Sequence, residues 1–144
     1  MSPNKPIAIQ KKIQVVCLLP NERKYLLFKV NQQRGGFWQN ITGSVEKGER
    51  FNEAALREIN EETGLTSNEF KLYDINLEHR FRTRHPRIIY EKSFVAAFNQ
   101  KPKIILSDEH QSCCWYHFHE IKNIHYGYTS NFRSLIYGMS YVDF

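Results

Sequence analysis

Arg57, Glu58, Glu61 and Glu62 put three carboxylates and a guanidinium within six residues. At about 100° per residue these four share roughly 140° of one helix surface, while Ala55, Leu56, Ile59 and Thr63 fall on the other side. The segment therefore reads as an amphipathic helix with an apolar stripe and a concentrated acidic stripe. Glu58 and Glu62 are like charges at i,i+4, which costs roughly 0.2–0.5 kcal/mol unless something neutralises them. Arg57 relieves part of this through Glu53 or Glu61, but one cation cannot pair every carboxylate. A hard divalent cation can, because Mg²⁺ takes oxygen ligands in an octahedron and leaves room for water and substrate phosphates. The competing reading is a solvated charged face, the ordinary explanation of acids on a helix.

The flanking residues favour the metal. Gly43 to Gly48 form a loop with Glu49 at its exit, and Gly64 suits a left-handed helix stop. Residues 43–65 fit G-x5-E-x7-R-E-U-x-E-E-x-G-U, U being aliphatic, at every specified position. Chance agreement at a given start is on the order of 10⁻⁸ from average composition. This stretch resembles the Nudix box. The resemblance implies an α/β fold, a Nudix-type α/β/α sandwich around a mixed sheet in which the box is a loop-helix-loop. It also implies hydrolysis of a nucleoside diphosphate linked to another group, with divalent metal and an attacking water.

Carried over position by position, the resemblance makes Glu58 and Glu62 the principal metal ligands and Glu61 a further ligand or the general base. Gly43 becomes a backbone-carbonyl ligand, and Arg57 orients a carboxylate or forms a surface ion pair. Glu49 supports the loop. The expected cofactor is Mg²⁺, with Mn²⁺ as a substitute. No serine, cysteine or histidine nucleophile is required, and the six histidines read as ordinary polar residues.

The approach Phe37-Trp38-Gln39-Asn-Ile-Thr42-Gly43-Ser-Val-Glu46 is similar to that of bacterial dihydroneopterin triphosphate pyrophosphohydrolases, as are Ser107-Asp-Glu109-His110 and Thr129-Ser-Asn131. That subgroup resemblance implies release of pyrophosphate from dihydroneopterin triphosphate or a nucleoside triphosphate. It adds Glu109 as a metal ligand outside the box. It makes Thr42, Arg80, Phe81, Arg82 and Tyr128 substrate contacts, pairing ring stacking with phosphate charge. The sequence departs from the subgroup at Val30 or Asn31, where an arginine is usual, and in the loop from Arg82 to Arg87, which looks shorter. Two other readings stay open: a hydrolase of dinucleoside polyphosphates, nucleotide sugars or capped RNA, and a non-catalytic ligand- or RNA-binding domain. The Phe-Pro-Gly-Gly entry of several such hydrolases is missing, and non-catalytic members commonly lose box carboxylates that this chain keeps.

The elements that must position these residues follow from periodicity. Ile13 to Leu19 and Tyr25 to Val30 read as a hairpin, and Trp38 to Val45 as a strand entering the box. A helix follows from about Asn52, its expected N-cap, to Thr63. Phe70 to Phe81 and Ile88 to Phe98 make an antiparallel pair joined through Arg82 to Arg87. Lys103 to Leu106 and Cys113 to Phe118 read as short strands, and Asn131 to Met139 as a final helix. All 144 residues read as one domain.

Charge is unevenly spread. Residues 43–64 hold six acids against three bases, net −3 in a chain of net +5, so the remainder carries +8. An acidic cluster in a positive background suits a small polyphosphate substrate. No basic helix or aromatic-basic motif supports nucleic-acid binding. Three cysteines without C-x-x-C spacing give neither a disulfide framework nor a zinc site, and the apolar run Val15 to Leu19 is too short for a membrane span. The expected setting is cytoplasmic, with monomer and homodimer both open.

Overall fold

The computed structural model describes residues 8–83 and 87–142; Arg84, His85 and Pro86 of the expected connection lie outside them. Strand β1 (Ala8–Leu19) is the axis. Its apolar half runs Ile13-Gln14-Val15-Val16-Cys17-Leu18-Leu19 without alternation, the mark of a strand buried on both faces. Ile13, Val15, Cys17 and Leu19 pack with Ala54, Ala55 and Ile59 of helix α1 (Phe51–Thr63). Val16 and Leu18 pack on the opposite face with Leu135 and Met139 of helix α2 (Thr129–Val142). One strand thus builds two cores, and the helices lie on opposite faces of a mixed sheet.

Within that sheet β2 (Lys24–Val30) returns antiparallel to the end of β1 through a 3-10 turn at Pro20–Glu22. The long hairpin of β5 (Lys71–Arg82) and β6 (Arg87–Ala97) follows α1, and β6 runs parallel to β1 from Ala8↔Arg87 to Leu18↔Ala97. A final strand at His110–His117 covers the outer edge of β2. Among the described residues no helix is long and apolar enough to cross a membrane.

Three expected elements change. The single strand Trp38 to Val45 is two strands, β3 (Trp38–Gln39) paired with β2 and β4 (Ile41–Ser44) paired with β1. The transfer occurs at Asn40, whose N–H donates to Asn131 Oδ1 at 2.8 Å instead of to a strand. Helix α1 starts at Phe51 with Arg50 as its N-cap, not Asn52, because the Glu53 carboxylate accepts the Arg50 N–H at 2.9 Å. Residues 103–106 form no strand: the Ile105 N–H donates to Thr63 O at 2.9 Å, so the segment crosses the end of α1 and satisfies a terminal carbonyl.

Ile59 is fully buried between α1 and β1. Ile59→Ala is expected to lower unfolding free energy by about 2–5 kcal/mol, read from denaturant midpoints; a loss under 1 kcal/mol would mean that the helix is not seated as described.

Candidate active site

Helix α1 turns two of the three acids of its acidic stripe inward and leaves Glu61 in solvent. Glu58 is 8% exposed and Glu62 4%, so two carboxylates sit at the boundary between the helix and the chain that covers it. Glu58 lies against Gly43 of β4, where an added Cβ would overlap the Glu58 carboxyl group. Glycine is needed there for the close approach of a side chain, not for an unusual φ. At the other end of the helix, Gly64 does adopt a left-handed conformation (φ 75°) and its N–H caps Asn60 O at 2.8 Å.

Arg57 ties the box together. Its Nε and Nη2 bond both oxygens of Glu49 at 2.8 and 3.0 Å, Nη2 also reaches Ser44 O at 2.8 Å, and Nη1 donates to Glu58 Oε1 at 2.9 Å. Its contacts to Glu61 are longer, at 3.4 Å, and leave that carboxylate largely in solvent. Glu49 in turn accepts the Glu46 N–H at 2.9 Å. Arg57 thus links the loop, the β4 backbone and the helix.

Glu62 has different partners. Ser107 Oγ donates to its Oε2 at 2.6 Å, and His110 Nδ1 lies 2.7 Å from the same oxygen. Gln39 Nε2 lies 3.1 Å from His110 Nε2. The His110 Nδ1 approach is an ion-pair distance that lacks hydrogen-bond geometry, and at the other ring nitrogen the Gln39 contact takes its direction from the tautomer. Gln39, Ser107 and His110 stand in the segments that carry the subgroup resemblance but are given no role there; the signal for Ser107 and His110 is the Ser-x-x-His spacing around Glu109.

These surroundings set opposite protonation tendencies. Burial pushes the Glu58 carboxyl up to about 7, against the pull of Arg57, and the neighbouring Glu61 and Glu62 charges add to the rise. Burial also disfavours charge on Glu62, but His110 and Ser107 beside it outweigh that and hold the group below its ordinary value. Glu109 is raised, by desolvation and then by the nearby Glu62 charge.

Thr42, Phe81, Arg82 and Tyr128 line one cleft of about 670 Å³ on the α2 side of the sheet, together with Gln39. Arg80 does not line this cleft but lines an adjoining one of about 430 Å³ with Phe81 and Tyr128, and its guanidinium stacks 5.1 Å over the Tyr90 ring. Arg82 stands at the end of β5, where it reaches the larger cleft.

A divalent cation was expected among Gly43, Glu58, Glu61, Glu62 and Glu109. Among the described residues no three His, Cys, Asp or Glu side chains stand close enough together to hold a metal ion as they are oriented. The donor set still suits a hard cation: it consists of oxygens, and the Gly43 cradle brings Glu58 against the β4 backbone.

The profile of the NUDIX domain matches residues 10–135. The chain belongs to the Nudix family. Residues 43–65 are its Nudix box, and the observed loop-helix-loop and mixed sheet are the fold expected of that family. An octanoyltransferase of Myxococcus xanthus is 35% identical over 97 residues, 65% of this chain and 26% of that protein. The nucleoside triphosphatase NudI of Escherichia coli is 48% identical over 54 residues, 35% of this chain and 38% of that protein. The Nudix chain thus spans well under half the length of these relatives. Among solved structures, the E. coli dihydroneopterin triphosphate pyrophosphohydrolase aligns with TM-score 0.76 at 24% identity, covering 89% of this chain and 94% of that one. A C. elegans Ap4A hydrolase aligns with TM-score 0.75 at 20% identity, covering 94% and 98%. Both likenesses are of fold.

The pKa directions make a signed prediction. The folded protein keeps the Glu58 proton to higher pH than the unfolded chain, so without divalent ions this group lowers stability as pH rises from 4.5 to about 7. Glu62 does the reverse: its contribution is present above 4.5 and is lost as pH falls through its lowered value. Melting temperatures across pH 4–8 should show Glu58→Gln flattening the loss below 7 and Glu62→Gln destabilising at neutral pH. Identical profiles for both variants would contradict the assignment.

Proposed function

We propose that the chain is a Mg²⁺-dependent Nudix pyrophosphohydrolase that cleaves dihydroneopterin triphosphate or a nucleoside triphosphate to the monophosphate and pyrophosphate. The observation that carries this reading is the pair of buried glutamates, Glu58 and Glu62, held beside a cleft with cationic and aromatic walls. Glu58, Glu61, Glu62, Glu109 and the Gly43 carbonyl would hold Mg²⁺ or Mn²⁺. When bound, the ion supplies neutralisation of phosphate charge and a lowered pKa for coordinated water.

The protein's own residues do the rest. Arg57 fixes Glu58 against β4 and ties the loop carrying Glu49 to the helix, so the carboxylates are oriented before substrate arrives. Ser107 and His110 hold Glu62 ionised, as a ligand or base requires. Of Glu58, Glu61 and Glu62, Glu61 is the least committed to partners, at 53% side-chain exposure, and takes the role of general base for the attacking water. Lys12, Arg82 and Arg87 line the cleft and supply positive charge for the polyphosphate, while Phe81 and Tyr128 offer exposed rings to a flat heterocycle. Beside them, β4 pairs with β1 and carries both Thr42 of the cleft and Gly43 of the acidic side, so a substrate crossing that strand touches both. The names of the similar proteins, a triphosphatase and a triphosphate pyrophosphohydrolase among them, point to the same class. A cytoplasmic setting and a small-molecule partner accompany this reading.

Purified protein with Mg²⁺ should release pyrophosphate from dihydroneopterin triphosphate or from nucleoside triphosphates in preference to a dinucleoside tetraphosphate and ADP-ribose. Chelation should stop the reaction and added metal restore it. Glu62→Gln should reduce kcat by at least 100-fold with its circular dichroism unchanged. Turnover indifferent to chelators, or a fully active Glu62→Gln variant, would remove the proposal.

A further inference from the structure

The floor of the cleft holds an acid that the hydrolytic reading does not use. Glu91 of β6 is 5% exposed and lines the cavity. Among the described residues only one hydrogen bond reaches its carboxylate, from Gln14 Nε2 to Oε1 at 2.8 Å. His79 Nδ1 is 3.7 Å from the same oxygen, too far to bond. Burial, then the charge of Arg133, lowers the pKa of His79, so it is a poor counter-ion. Lys12 acts on Glu91 without a direct ion pair among the described residues.

The groups beneath Glu91 are locked. Asn40 Nδ2 donates to Gln14 Oε1 at 2.7 Å, and the Asn40 backbone N–H is taken by Asn131 Oδ1 at 2.8 Å, which fixes the Gln14 amide with its nitrogen toward Glu91. Asn40 Oδ1 is buried with no donor. The network therefore has surplus acceptors, and a buried acceptor left unmatched is costly. The missing partners are donors, and the open side of the network is the cleft.

We propose that Glu91 reads the edge of the substrate's heterocycle, accepting hydrogen bonds from a ring N–H and the adjacent amino group of a 2-amino-4-oxo-pyrimidine ring, the grouping shared by guanine and pterins. Two parallel N–H donors match the two oxygens of a carboxylate. Adenine and cytosine place a ring acceptor beside the amino group and would set a lone pair against the carboxylate. Uracil and thymine have the ring N–H but flank it with carbonyl oxygens. Phe81 and Tyr128 are exposed at the same cleft for stacking on the ring. Glu91 and Gly43 flank β1 at neighbouring register positions, Lys12↔Glu91 and Ile13↔Gly43, which puts them about 10 Å apart at two strand spacings. That is the scale of a nucleoside between its base edge and its first phosphate. The inference rests on the hydrolase reading for the placement of the phosphates, and it deepens that reading by naming the ring.

The test separates the two. Binding of the α,β-methylene analogues of dGTP and dATP, which resist cleavage between those phosphates, is measured with Mg²⁺ on the parent and on Glu91→Gln, with melting curves alongside. The parent should favour the guanine analogue by about 10- to 100-fold, and Glu91→Gln should lose that preference by weakening the guanine analogue alone. On the unaltered protein, N1-methylguanosine should compete at least tenfold less well than guanosine, a readout that needs no variant to fold. A parent without preference, equal weakening of both analogues, or equal competition by the methylated nucleoside would overturn the proposal. Selective binding without pyrophosphate release from any triphosphate would remove the hydrolase reading and leave the ring recognition standing. Relative kcat/KM for dGTP and dihydroneopterin triphosphate then decides which source of the ring is preferred.

Discussion

Negative charge is held out of water in this molecule at places where the surrounding protein only partly compensates it, and much of the architecture serves that constraint. Glu58 and Glu62 lie on the covered side of α1, and the elements around them are arranged to make their burial tolerable. Arg57 supplies one cation and shares it between Glu49, Glu58 and the β4 backbone. Ser107 donates to Glu62, and the His110 ring nitrogen lies 2.7 Å from the same oxygen. The two carboxylates consequently differ in protonation tendency although one helical turn separates them, which suits a site that must bind a cation and handle a proton.

The sheet allows this by dividing labour between the faces of β1. Alternate residues of that strand enter separate cores, one under each helix. The acidic side chains belong to the α1 side and the cleft to the α2 side, and β4 presents Gly43 to one and Thr42 to the other. Asn40 is the pivot: it leaves β2, joins β1 and is fastened to α2 through Asn131. Gln39 supplies a second link, since it lines the cleft and also touches the histidine that holds Glu62.

Much of this was legible in the residues. The spacing of Glu58, Glu61 and Glu62 gives the helix face directly, and Gly64 marks its end. Gly43 could be singled out from its place in the box, though not for its reason, which is the space that Glu58 occupies. The start of α1 was misplaced because Glu53 supplies the acceptor expected of an Asn52 cap. Residues 103–106 carry the apolar run Ile104-Ile105-Leu106 of a strand, yet the Ile105 N–H bonds to a helix end, an outcome fixed by tertiary position and not by pattern. Glu91 was beyond reach: its burial depends on the parallel pairing of β1 with β6, which joins residues nearly eighty positions apart.

The Ile105 to Thr63 hydrogen bond couples a connecting segment to the last turn of α1. Ser107 and His110 follow that anchor closely in sequence, so their reach to Glu62 depends on the length of chain between the anchor and themselves. Insertions should be tolerated unequally along this chain as a result. Added residues at the Pro20–Glu22 turn would be absorbed at the surface, whereas one residue more between Ile105 and His110 would shift both side chains away from their carboxylate without disturbing either core.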